Sequence, residues 1–87
     1  MYINEMRSKA IRFLEKNLKS VMEKIEKAVA NKNTHSYQMY REDAFNSYER
    51  LFTAFVAYSS VGLLSCETTE YYDNKCSELR NFLLENC

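Results

Sequence analysis

The sequence predicts an all-α fold: an antiparallel three-helix bundle around a long helical hairpin, with helices over about residues 3–30, 37–61 and 66–86. Three observations lead there. Apolar residues recur at three- and four-residue spacing through most of the 87 residues. Proline is absent and the single glycine stands at position 62, so turn-rich β architectures and glycine-loop nucleotide sites lack their raw material. Two short stretches, around 31–36 and around 62–65, interrupt the periodicity. The length fits one domain, 1–87, and 46% aliphatic and aromatic residues suffice for a core.

Helix 1 takes its seam from Ile11, Leu14, Leu18, Val21, Ile25 and Ala28, extended backwards by Ala10, Met6 and Ile3. The polar run Asn31-Lys32-Asn33-Thr34-His35-Ser36 ends it, and Thr34 or Ser36 is placed to cap the next helix. Helix 2 carries Tyr37, Tyr40, Ala44, Tyr48, Leu51, Phe55 and Tyr58 on one stripe. A second shoulder, Phe45, Phe52 and Val56, lies about 100° round the cylinder, which makes this the central helix with neighbours on two sides. Gly62 suits a left-handed C-terminal cap. Ser65 or Thr68 then starts helix 3, with Glu67 and Glu70 favoured by the dipole in its first turn and Tyr72, Cys76, Leu79 and Leu83 as its seam. The alternative is that helix 2 runs on to about Glu67. Short loops make successive helices antiparallel. Helix 3 is shorter than the hairpin, and the part it leaves bare favours self-association.

Twelve basic and twelve acidic residues cancel. They are unevenly placed: residues 1–32 hold eight against four, net +4, and residues 33–87 hold four against eight, net −4. The start, Met1-Tyr2-Ile3-Asn4-Glu5, is charged and lacks the apolar core of a secretory leader. Cys66, Cys76 and Cys87 are an odd set, and on one helix they stand roughly 15 Å or more apart, too far to bridge. Reduced thiols in the cytoplasm of a bacterial host cell are the expectation, with Cys87 exposed at the end.

No catalytic residue, metal ligand set or cofactor site emerges, and a non-enzymatic protein is expected. The one histidine, His35, and Cys66 bracket helix 2, roughly 40 Å apart, whereas a Cys–His pair needs hydrogen-bond contact. Zinc-ligand spacings are absent. Glu67, Glu70 and Asp73 share a helix face, but helix-mounted carboxylates without a preformed loop bind divalent ions weakly.

The most informative stretch is LFTAFVAYSSVGLLSC, Leu51 to Cys66, sixteen residues without a charge. It is too short and too polar to span a bilayer, so membrane insertion is not expected. Its outer side reads Thr53, Ala57, Ser60 and Leu64, small or apolar where a solvated helix shows charge every turn. Depleted charge and enriched aromatics mark interface cores, and seven Tyr with five Phe fit that. The expected partner-binding residues are Tyr48, Phe52, Phe55, Val56 and Tyr58 on helix 2, with Tyr71 and Phe82 on a flank of helix 3.

The function expected first is a small helical protein that binds and modulates or inhibits a protein partner by surface occlusion, itself a homodimer or higher oligomer. A bias towards Asn, Lys, Tyr, Ile and Glu, as AT-rich coding gives, points to a phage or mobile-element accessory regulator. The alternative is an anion-binding module for nucleic acid or a nucleotide, using Lys9, Arg12, Lys16 and Lys19 on the face of helix 1 opposite its seam. Glu5, Glu15, Glu23 and Glu26 interleave with that stripe, so nucleic acid is not favoured. A third option is a cytosolic regulator of a membrane protein, docked through the uncharged run.

Overall fold

A computed structural model describes residues 2–86, and the side chains of residues 3–85. It is an all-α three-helix bundle: α1 Tyr2–Ala30, α2 Tyr37–Ser60 and α3 Cys66–Asn86. The body is long and thin, 50 × 19 × 15 Å. The helix boundaries agree with the pattern to within a residue, and α2 ends at Ser60 rather than running on to Glu67.

Each helix ends for a local reason. At the close of α1 the Asn31 side-chain amide donates to the Lys27 carbonyl at 2.8 Å, and the Thr34 hydroxyl donates to the Asn31 carbonyl at 2.9 Å. The loop is thus tied back to the helix it leaves. Neither expected cap of α2 forms: Thr34 is turned to α1, and Ser36, at the N-cap position, makes no side-chain cap bond. The reason is backbone geometry. Ser36 sits at φ −85°, ψ −2°, near-helical, whereas a capping hydroxyl reaches forward from extended backbone.

The end of α2 is a Schellman turn. Gly62 has φ +73°, its N–H donates to the Ser59 carbonyl at 3.1 Å, and the Leu63 N–H reaches the Tyr58 carbonyl at 3.0 Å. Ser65 then caps α3, its hydroxyl oxygen accepting the Thr68 N–H at 3.1 Å. Gly62→Ala is expected to cost about 1–2 kcal/mol in urea unfolding. No atom lies within 4 Å of the added Cβ, so the cost is purely that of a left-handed backbone. Gly62→Asn should cost less, because Asn tolerates this region.

The hairpin of α1 and α2 forms the main seam. Leu14, Val21, Ile25 and Ala28 meet Ala44, Ser47, Leu51 and Phe55, all buried. Ala28, Ala44 and Ser47 are small, which lets the helices approach closely. Near one end Lys24 and Asp43 pair at 3.3 Å, an exposed bridge worth at most about 1 kcal/mol. Towards the other, Phe13 and Tyr58 meet edge to face with centroids 6.3 Å apart. Helix α3 closes on α2 through Tyr72, Cys76 and Leu83, with Tyr72 tilted against Phe55 at 6.3 Å. Leu64, expected on the outer side, is buried instead. The reversal at Gly62 ends α2 before it and turns Leu64 back into the core.

Candidate functional site

Three surfaces carry the residues singled out above. The first is the outer side of α2. Phe52 and Val56, one turn apart, are 42% and 44% exposed, and Thr53, Ala57 and Ser60 beside them are exposed too. The Phe52 ring is held by Tyr48, half-buried and stacked on it at 6.0 Å. Burial raises the Tyr48 phenol above its ordinary value, with Cys76 adding and Arg80 opposing. Further towards the start of the helix the Arg41 guanidinium covers the Phe45 ring at 4.8 Å. The uncharged face therefore begins at Phe52.

Two of the expected docking residues belong elsewhere. Phe55 is 5% exposed and packs on Tyr72, so it serves the α2–α3 core and cannot reach a partner. Tyr58 is half-buried against Phe13 and serves the hairpin. Of the shoulder, Phe45 is half-buried against the core while Phe52 and Val56 stay exposed, and the stripe residue Phe55 meets Tyr72 of α3.

The second surface is a groove between α1 and α3, which touch only lightly. Tyr71, 50% exposed, lies in it beside Ile11, Leu18 and Met22. Phe82, 42% exposed, lies further along with Met22 and Leu79. Tyr71 and Phe82 are therefore on a different face from Phe52 and Val56. Tyr71 also meets Tyr72 edge to face at 5.1 Å. The Tyr72 phenol is pushed up to about 12, first by burial and then by the Glu15 carboxylate across the groove.

The third surface is the basic stripe. Lys9, Arg12, Lys16 and Lys19 are all exposed on α1. Lys9 and Arg12 share a shallow depression with Glu5, and the Arg12 Nε–H donates to the Ser8 carbonyl at 3.4 Å. Lys19 lines the α1–α3 groove instead. Lys9 and Arg12 therefore stand in one setting and Lys19 in another, each holding carboxylates.

His35, in the α1–α2 loop, and Cys66, at the start of α3, are exposed at opposite ends of α2, whose 24 residues span about 36 Å. Cys76 is the buried thiol, and burial together with Asp73 pushes it up to about 11. It is a packing residue held protonated at neutral pH, the reverse of an activated cysteine. Cys87 lies outside the described residues. Among the described residues no three His, Cys, Asp or Glu side chains gather as a metal site requires, and no helix is long and apolar enough to cross a membrane. Compared with known proteins, the chain matches no family model, no curated protein and no solved structure.

Of the residues expected to bind a partner, Phe52, Val56, Tyr71 and Phe82 are exposed. Sequence reasoning missed Met22 and the carboxylates that share the groove with the last two. The signal for Met22 was an apolar residue on the edge of the α1 seam, and that edge gains meaning once α3 is placed.

Proposed function

We propose that this protein is a non-enzymatic binding module that docks on a protein surface through the outer face of α2. It then acts by occupying that surface. The single observation that carries the reading is the run from Leu51 to Cys66: it holds no charge, yet Phe52, Thr53, Val56, Ala57 and Ser60 within it are exposed. Two large apolar side chains beside a strip of small ones offer an anchor and a close approach for a partner helix. The same face serves self-association into a homodimer. The small size and the Asn- and Lys-rich composition fit a phage or mobile-element regulator working in the host cytoplasm. Anion binding ranks second, because Glu5 stands in the depression that Lys9 and Arg12 share.

Light scattering behind a sizing column, with reductant, tests this. The wild type is expected to run as a dimer at both low and high salt, since an uncharged contact is insensitive to screening. Phe52→Glu with Val56→Glu is expected to give a monomer with unchanged helical circular dichroism. Both positions are over two-fifths exposed, so the fold should tolerate the pair. A wild type that stays monomeric at hundreds of micromolar removes the self-docking reading.

A further inference from the structure

The α1–α3 groove is a second surface, separate from the face of α2, and its chemistry selects a different occupant. It consists of two adjoining chambers of about 600 and 260 Å³ that share Met22 and Glu26. From Ile11 to Glu26 it follows α1 for fifteen residue steps, about 22 Å, which is the length of a four-turn helix. Its apolar lining is Ile11, Leu18, Met22, Tyr71 and Phe82, drawn from both helices. Met22, half exposed at the centre, is the kind of side chain that adapts to what it meets.

The rim gives the sign of the partner. Glu15, Glu23 and Glu26 stand on the α1 bank, and Glu67 and Glu78 on the α3 bank. Lys19 is the one cation among the lining residues. Lys75 is nearby, its ammonium 3.7 Å from Glu78 and 5.8 Å from the Tyr71 ring centroid. The chain as a whole is neutral, so this excess of carboxylates is local. An apolar floor between two acidic banks complements a helix with one apolar stripe and Lys or Arg on both flanks. We infer that the groove docks a basic amphipathic helix of about four turns from another protein. A second copy of this chain is a poor occupant. Its basic helix is α1, and the apolar stripe of α1, from Leu14 to Ile25, is already buried in its own hairpin.

The probe is a fluorescent eighteen-residue peptide with Leu on one helical face and Lys on both flanks, read by anisotropy against the full chain. Binding is expected at low salt and should weaken roughly tenfold or more by 0.3 M salt. Glu15→Lys with Glu26→Lys should weaken it by a similar factor, as should shuffling the peptide so that its Leu residues no longer share a face. Should the charge reversal unfold the chain, Met22→Ser, at a half-exposed position, reads the same groove. Phe52→Glu should leave peptide binding unchanged, which separates this surface from the face of α2. Absence of binding, equal binding of the shuffled peptide, or indifference to Glu15→Lys with Glu26→Lys overturns the inference. So does a dimer that those two reversals abolish and Phe52→Glu does not, since the occupant would then be a second copy.

Discussion

Leu51→Ala is expected to destabilise the bundle by about 3–5 kcal/mol, the range for truncating a fully buried leucine where the surroundings relax only in part. Leu51 is 0% exposed at the middle of the central helix. A chain of 87 residues has a total stability of only about 4–13 kcal/mol, so the loss is a large share of it. In urea the midpoint should fall steeply, and the melting temperature should drop by roughly 15 °C or more. Phe52→Ala, one residue along but on the exposed side, should cost under about 1 kcal/mol. The contrast between neighbours is the test. Similar costs at the two positions would mean that α2 is rotated from the orientation described.

That rotation was only partly legible in the sequence. Leu14, Val21, Ile25 and Ala28 recur at heptad spacing, and the structure buries all four. Gly62 and Ser65 announce a helix end and a helix start because their chemistry is local: a positive φ and a hydroxyl three residues before an N–H. Most of the failures are tertiary. Phe52 and Phe55 lie only about 60° apart round α2, and which of them is covered depends on where α3 rests. Ser47 is polar and drops out of an apolar pattern, yet at 3% exposure it is part of the seam, where smallness matters more than its hydroxyl. Leu64 is buried from a loop, and no periodicity reaches it. The missing cap at Ser36 follows from a loop that continues in near-helical geometry, which composition does not encode. The groove between α1 and α3 belongs to neither helix alone. Its acidic banks include Glu15, Glu26 and Glu67, but in the sequence the first two only interrupt a basic stripe and the third only suits a helix start.

Alkaline pH is expected to weaken the bundle well before it affects an ordinary helical surface, because two weak acids are buried in its core. Cys76 is pushed from 9.0 up to about 11 and Tyr72 from 10.0 up to about 12, in both cases mainly by burial, which penalises the charged form. Each group loses its proton more readily in the unfolded chain. Their contribution is therefore whole below pH 9, where both states are protonated, and is lost as pH rises through the folded values. Between pH 9 and 11 the unfolded thiol ionises first, and between pH 10 and 12 the unfolded phenol does. At about 1.4 kcal/mol per unit the two together remove up to about 4 kcal/mol, less than a simple sum because the core relaxes and admits water around each new charge. Urea midpoints measured from pH 7 to 12 should be flat to about 8.5 and then fall. Cys76→Ala should flatten the earlier part of the fall and Tyr72→Phe the later part. A fall that neither substitution alters would place its origin outside this core. Glu15→Gln offers a sharper check, since it removes a carboxylate that helps to hold the Tyr72 phenol up. The tyrosinate absorbance of the folded chain should then appear at lower pH, which ties the buried phenol to the acidic bank of the α1–α3 groove.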